Sequence, residues 1–246
     1  MWSLKIPGCC MKGSGFVCSE KGEKAMLAER VAQVQKILQQ ESLPFGRAPK
    51  LIAVTKFATV EQILPLAELG IRDIGENRVQ VLREKLPFLE EKFSIHLIGR
   101  LQTNKVKYII KDVCLIHSLD NAALAQEIDR QAQKAGRRMP VLVQVNIAKE
   151  PQKGGIAEEE LLPFLRDCAR LPGLQVKGLM AIMPLGAERD ELFSLFTRMR
   201  QTFDHCAQEG IDGIAMEELS MGMSQDYDLA ARAGATMVRV GSALFR

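Results

Sequence analysis

Several features that mark whole classes of protein are scarce in this sequence of 246 residues. Aromatic residues make up 5% of the chain, and its 33 Lys and Arg are nearly balanced by 30 Asp and Glu. Proteins that bind nucleic acids present a clustered cationic face and often stacking rings, so we expect no nucleic-acid partner. No apolar run approaches the ~18–20 residues that cross a bilayer, so we expect no membrane segment either.

The chain has six cysteines, but none of them forms a CxxC pair. Beyond residue 25 only Cys114, Cys168 and Cys206 occur, and they are far apart without a CxxC pair. Isolated cysteines in odd number are typical of reduced thiols and not of a disulfide framework or a zinc site. The sequence therefore predicts a cytoplasmic protein without a metal.

Residues 1–25 differ from the rest of the chain. They hold three of the cysteines, four glycines and no apolar periodicity, and Pro7 and Lys12 interrupt any signal-peptide core. An amphipathic pattern begins at Met26 and predicts a helix over 26–41. We expect residues 1–25 to be a disordered or non-native extension, and Met26 to be the natural start.

From residue 26 onward, apolar runs alternate with helical patterns. We expect strands at 51–56, 71–76, 94–99, 113–118, 140–147, 174–183, 218–223 and 236–240. Helices are expected between them at 59–69, 77–91, 102–111, 121–135, 157–171, 188–209 and 225–234. Eight such units predict a single (β/α)8 TIM barrel over 26–246, with the helix at 26–41 on its floor. An open doubly wound sheet would favour a glycine-rich turn after the first strand, where Lys56, Phe57 and Ala58 stand instead.

A lysine ends the first predicted strand. Lys56 follows the apolar run 51–54, and in parallel barrels the carboxyl ends of the strands form the site. Partial desolvation there lowers the pKa of an amine and frees it to attack an aldehyde. A lysine that simply points into water is the alternative, and position alone favours that alternative.

Glycine and serine gather at the ends of the seventh and eighth predicted strands. Gly222 and the pair Gly241 and Ser242 let backbone N–H groups approach a ligand, and Ser224 is expected to begin a helix. Ordinary turns and caps explain either group alone equally well, but phosphate sites recur at these two loops of TIM barrels. A phosphate site that faces an aldehyde-reactive Lys56 suggests pyridoxal 5′-phosphate (PLP) as the cofactor.

Six segments then resemble one family. In order they are VTKFAT, IGENRVQ, HLIGRLQTNK, GLMAIMP, LSMGMSQD and ATMVRVGSALF. Together they resemble the pyridoxal phosphate homeostasis protein family over about residues 26 to 245. That family is similar in fold to the barrel domain of alanine racemases but lacks their second domain.

The resemblance implies that seven residues bind the cofactor. Lys56 would form the Schiff base, Arg239 would face the pyridine nitrogen, and the other contacts would come from Asn77, Met223, Ser224, Gly241 and Ser242. A guanidinium with a pKa above ~12 cannot hand a proton to that nitrogen, so the ring would be a weaker electron sink. His96, the stretch 102–105 and Lys153 belong to the family signature without a role that their chemistry indicates, and His96 is as well explained as a hydrogen-bonded structural histidine.

Two functions of different class follow. In the first, the chain is a monomer that binds and buffers PLP and delivers it to PLP-requiring apo-enzymes, without turnover of its own. In the second, it is a small PLP-dependent racemase or decarboxylase. Racemisation needs an acid–base group on each face of the substrate, and Tyr108 and Tyr227 lie at no predicted strand end. The carrier is therefore preferred, while a barrel enzyme without PLP would require all the motifs to be coincidental.

Overall fold

Eight parallel strands close into one barrel in the computed structural model, which describes residues 14–150 and 154–246. The strands are β1 Lys50–Val54, β2 Asp73–Glu76, β3 Ser94–Leu97, β4 Leu115–Leu119, β5 Met139–Val145, β6 Leu174–Ala181, β7 Glu218–Ser220 and β8 Met237–Val240. Each pairs with the next, and β8 pairs with β1. Every predicted strand overlaps an observed one, and the predicted (β/α)8 fold is confirmed.

Helices surround the barrel. They are α1 Ser14–Glu41, α2 Val60–Ile63, α3 Pro65–Glu68, α4 Val79–Leu89, α5 Ala122–Lys134, α6 Glu158–Ala169, α7 Arg189–Gln208, α8 Tyr227–Arg232 and α9 Ser242–Phe245. Two 3-10 helices cover Leu43–Phe45 and Thr103–Tyr108. None of the helices in the described ranges combines the length and the apolar character needed to cross a membrane.

Two predicted helices differ from the structure. The helix expected at 59–69 is divided into α2 and α3 at Pro65, because proline has no N–H to continue the helical ladder. The helix expected at 102–111 is the 3-10 helix Thr103–Tyr108, followed by turns. Its buried Val106 and the buried Ile109 just after it are three residues apart, a spacing that suits either helix type, so periodicity could not distinguish them.

The first helix begins earlier than predicted and lies elsewhere. Its buried anchors begin at Leu27, yet the helix runs from Ser14, because extending a packed helix adds one hydrogen bond for each residue fixed. It packs against α8 and α9, on the flank of the barrel and not across its floor. The expectation for residues 1–13 lies outside the described residues, and Met26 as the natural start stays a prediction.

Side chains alternate between the barrel interior and the surrounding helices, as they must along a strand. The apolar part of the interior is small and is formed by Ile52, Leu115, Leu142, Met180 and Met237. The much larger apolar cluster lies between the strands and the helices. Polar side chains therefore occupy a substantial part of the barrel interior, among them the buried Arg239, His96, His117 and Ser220.

Candidate functional site

The ends of four strands gather the predicted site residues at the mouth of the barrel. Lys56 follows β1, Asn77 follows β2, Met223 and Ser224 follow β7, and Gly241 and Ser242 follow β8. Because β8 pairs with both β7 and β1, the loops that carry Ser224, Gly241 and Lys56 are neighbours. Arg239 lies deeper, within β8 itself.

Ser224 connects the loops after β7 and β8. Its Oγ accepts the N–H of Gly241 at 3.0 Å and the N–H of Ala243 at 3.3 Å. The expectation that Ser224 begins a helix is wrong, since α8 starts at Tyr227 behind a turn closed by Asp226. The N–H groups that donate to Ser224 Oγ therefore come from α9 and the loop before it. They are available because the first N–H groups of a helix have no acceptors within the helix.

Gly241 is required by close approach of the backbone. A Cβ at this position would lie 3.1 Å from Val54 Cβ and 3.2 Å from the Val54 carbonyl oxygen. Any larger residue would push the loop after β8 away from the end of β1. The glycine thus keeps the Gly241 N–H close to the loop that carries Lys56.

Lys56 is exposed in the structure. The partial desolvation expected from its position is therefore absent, because the residue lies beyond the end of β1 and not within it. Its Nζ lies 5.0 Å from the centre of the Phe57 ring, and the guanidinium of Arg246 lies 5.3 Å from the same ring. Two cations therefore border the mouth beside β1, which makes this rim attractive to an anion.

The buried Arg239 is held on two sides. Its Nη1 donates to Ser220 Oγ at 2.6 Å, and its Nη2 donates to the carbonyl oxygen of Ala181 at 2.8 Å. Burial lowers the pKa of Arg239 to about 10, against the opposing effect of Asp226. The guanidinium consequently remains a cation at neutral pH, fixed in the upper part of the barrel interior.

Asn77 and Met223 are both half-buried at the mouth. Gly99 packs so closely on the backbone of Asn77 that a Cβ there would collide with it. The Met223 N–H donates to Asp226 Oδ1 at 2.5 Å, which fixes the turn before α8. The positions are those expected, while the cofactor contacts of both residues stay predictions.

A buried ionic cluster that the sequence did not indicate fixes the backbone next to Lys56. Thr55, the preceding residue, donates from Oγ1 to Glu76 Oε1 at 2.7 Å. Lys85 Nζ donates to the same oxygen and to the Thr55 carbonyl, both at 2.7 Å. Glu76 is fully buried at the end of β2, so this cluster fixes the backbone from which Lys56 departs.

Sequence reasoning also missed Ser220, although it lies within the segment LSMGMSQD. Its position on the strand next to β8 is the signal that could have identified it as a partner of Arg239.

Lys153 lies outside the described residues, so its role stays open. Within the described part of the chain, no group of three or more His, Cys, Asp or Glu side chains is placed to hold a metal ion.

Comparison with known proteins adds to this geometry. Residues 25–246 match the family model of the alanine racemase N-terminal domain. A pyridoxal phosphate homeostasis protein of Aquifex aeolicus is 38% identical over 221 residues, which are 88% of this chain and 96% of that protein. One of Deinococcus radiodurans is 40% identical over 204 residues, 81% of this chain and 91% of that protein. The structure of PipY from Synechococcus elongatus with PLP bound is 35% identical, with a TM-score of 0.80, covering 89% of this chain and 100% of that one.

Proposed function

This chain belongs to the pyridoxal phosphate homeostasis protein family, and from that premise we propose that it holds PLP at the mouth of its barrel and supplies it to PLP-requiring apo-enzymes. The observation that carries the proposal is the convergence of Ser224, Gly241 and Lys56 from adjacent loops. PLP has a phosphate at one end and an aldehyde nearby, so it requires an anion site and an amine side by side.

The loops after β7 and β8 fit a phosphate group. The Ser224 hydroxyl and the N–H groups of Gly241 and Ala243 already meet at one point. A phosphate oxygen beside Ser224 Oγ would accept the hydroxyl hydrogen and replace Oγ as the acceptor of these N–H groups, and such charge-assisted hydrogen bonds are the stronger kind. Ser242, exposed as the first residue of α9, adds a further backbone N–H at the same edge.

Lys56 fits the role of the amine. When bound, PLP supplies an aldehyde for a reversible covalent bond with a lysine and a pyridine ring that withdraws electrons. The exposed Nζ of Lys56 can be reached from solvent, which favours reversible exchange of the cofactor over its permanent enclosure. Phe57 and Arg246 flank this lysine and provide an apolar face and a second cation.

Arg239 fits the pyridine end of the cofactor. Its guanidinium stays charged at neutral pH even though burial lowers its pKa to about 10. A group that only donates hydrogen bonds leaves the ring nitrogen unprotonated, and this weakens the withdrawal of electrons on which amino-acid chemistry depends. Storage of PLP needs no stronger withdrawal of electrons than this, so Arg239 is consistent with a carrier.

The acid–base groups of the mouth also support a carrier without turnover. Racemisation requires a second acid–base residue opposite Lys56. Tyr108 lies in the 3-10 helix Thr103–Tyr108 under three nearby cations, and Tyr227 begins α8 with its pKa raised by burial. Neither tyrosine follows directly after the end of a strand, where the proposed cofactor residues lie. Neither is therefore placed to act as the second base of a racemase.

The delivery of PLP is the test of this function. The chain loaded with PLP is mixed with a PLP-requiring apo-enzyme, and recovery of that enzyme's activity is followed over time. We expect recovery with the unmodified chain and with the control Lys36→Ala, a variant of an exposed lysine on α1. Lys56→Ala should deliver far less PLP after removal of free cofactor, and equal delivery by Lys56→Ala would contradict the proposal.

A further inference from the structure

A continuous line of hydrogen bonds crosses the barrel interior from Arg239. Arg239 Nη1 lies 2.6 Å from Ser220 Oγ, which lies 3.0 Å from His117 Nδ1. His117 Nε2 lies 2.9 Å from His96 Nδ1, and His96 Nε2 lies 2.9 Å from Asp73 Oδ1. Side chains from β8, β7, β4, β3 and β2 are thereby connected.

The line joins the two ends of the barrel. Asp73 is the first residue of β2, and its side chain is 19% exposed beside Lys50, with Nζ 3.8 Å from Oδ1. Ser220 is the last residue of β7, and both it and the two histidines are buried. Burial of so many polar groups is costly unless each is hydrogen-bonded, so every member depends on its neighbours in the line.

Donors and acceptors fit the line in one direction when both histidines are neutral. The Asp73 carboxylate only accepts, so His96 carries its hydrogen on Nε2 and accepts at Nδ1. His117 then donates from Nε2 and accepts the Ser220 hydroxyl hydrogen at Nδ1. Ser220 Oγ finally accepts from Arg239, so every hydrogen in the line points from Arg239 toward Asp73.

The surrounding charges are consistent with a neutral His117. Burial lowers the pKa of His117 well below its ordinary value, and the positive charges of Arg239 and Lys50 act in the same direction. For Asp73, burial raises the pKa, but the His96 hydrogen bond and the Lys50 charge together hold it below its ordinary value. Asp226 acts on Arg239 from the turn before α8, and burial raises the pKa of that carboxyl.

We propose that Asp73, His96, His117 and Ser220 form one positioning unit that holds Arg239 and fixes the direction of its hydrogen bonds for the pyridine nitrogen of PLP. The inference rests on the proposed function, because it is Arg239 that would meet this nitrogen. The four residues act only through Arg239 and do not touch the cofactor themselves. Without the unit, the guanidinium would lose one of its two anchors and the fixed orientation that they impose.

The hydrogen-bond direction can be tested without cofactor. The chain has only three histidines, His96, His117 and His205, so ¹⁵N-histidine labelling lets NMR follow each ring in the full chain. We expect His117 to carry hydrogen on Nε2 alone at neutral pH, and His96 to carry hydrogen on the Nε2 that faces Asp73. Ser220→Ala should shift the Nδ1 resonance of His117 and leave the exposed His205 unchanged. A His117 ring that carries its hydrogen on Nδ1 would overturn the proposed direction.

PLP binding tests what the unit does for Arg239. We expect Ser220→Ala to weaken PLP binding about tenfold, because binding would then have to order the guanidinium that Ser220 fixes in advance, and to shift the absorption band of the bound cofactor. Asp73→Asn, at the partly exposed end of the line, is the second variant and should weaken binding severalfold while thermal unfolding reports a folded chain. Unchanged affinity and an unshifted band in both folded variants would refute the positioning role.

Failure of the proposed function has a different signature. In that case the unmodified chain would either fail to bind PLP or bind it without Lys56-dependent delivery, whatever the state of its histidines. The NMR measurement would still decide whether the four residues hold Arg239 in the direction derived from the structure.

Discussion

Among single residues, Ser224 has the most specific chemistry at the mouth of the barrel. We expect Ser224→Ala to weaken PLP binding about tenfold to a hundredfold, because one hydrogen bond to a charged group contributes ~1.5–3 kcal/mol. The bond to Lys56 should still form at high PLP concentration. Equilibrium titration of absorbance measures the loss, with Ser194→Ala on the exposed face of α7 as the matched control. Equal affinity of Ser224→Ala and the control would place the phosphate elsewhere.

Lys85 is expected to stabilise the fold through its ion pair with the buried Glu76 at the end of β2. Its ammonium is the cationic partner of Glu76, whose side chain is fully buried and has one oxygen, Oε2, without a partner among the described residues. Lys85→Ala would leave a buried carboxylate unpaired, and such a change costs about 3–5 kcal/mol of unfolding free energy. Urea unfolding of this variant against Lys36→Ala measures the difference. A loss below ~1 kcal/mol, typical of an exposed ion pair, would show that the cluster is unimportant.

Asp73 gives a pH dependence with a definite sign. Its pKa is held below its ordinary value, against the effect of burial, by the His96 hydrogen bond and Lys50. A carboxyl whose pKa is lowered on folding stabilises the protein above its unfolded pKa of about 3.9, and this stability is lost as pH falls through the folded pKa. The unfolding free energies of the unmodified chain and Asp73→Asn should therefore differ at neutral pH and converge in acid. A difference that persists undiminished at low pH would contradict this assignment.

At the scale of helices and strands, α1 offers the clearest test. Its core contacts begin at Leu27, whereas Lys24, just before Met26, is exposed and forms an ion pair with Glu68. A chain that starts at Met26 should therefore lose at most ~1 kcal/mol of stability, the range of an exposed ion pair, and keep its PLP affinity. Thermal unfolding and PLP titration of the shortened chain measure both. A large loss of either would show that the earlier residues belong to the functional barrel.

The sequence predicted the elements well wherever a local pattern determines them. The eight strands and the barrel follow from apolar runs that alternate with helical patterns, since most positions of these strands are buried on both faces. The errors lie where a local pattern is ambiguous or silent. Helix and 3-10 helix share the spacing of Val106 and Ile109, and no pattern marks how far α1 extends before Leu27.

The site was predictable to the level of its loops but not of its contacts. The seven predicted cofactor residues lie at or just below the mouth, because motifs at strand ends fix their place in a barrel. The contact of His117 with Ser220 joins residues 103 positions apart, and such pairing depends on the register of the closed barrel. The exposure of Lys56 was likewise misjudged, since only the structure shows that β1 ends at Val54.

For the molecule as a whole, the family predicted from six segments is confirmed by the comparisons, and the fold predicted from the alternating pattern is confirmed by the closed barrel. The resulting expectation concerns turnover. Prolonged incubation of the PLP-loaded chain with L-alanine or L-serine should yield neither the D-isomer nor an amine, because the proposed site has one base, Lys56, and would place against the pyridine nitrogen an arginine that keeps its proton. Chiral chromatography detects either product. Turnover that depends on Lys56 at ~1 s⁻¹ or faster would identify an enzyme instead.

The site of covalent attachment tests the central claim most directly. The purified chain is incubated with PLP and reduced with borohydride, and its peptides are then sequenced by mass spectrometry. We predict that the cofactor is fixed on the peptide that contains Lys56 and on no other lysine in comparable yield. Attachment at a different lysine, or none at all in a folded chain saturated with PLP, would contradict the role of Lys56.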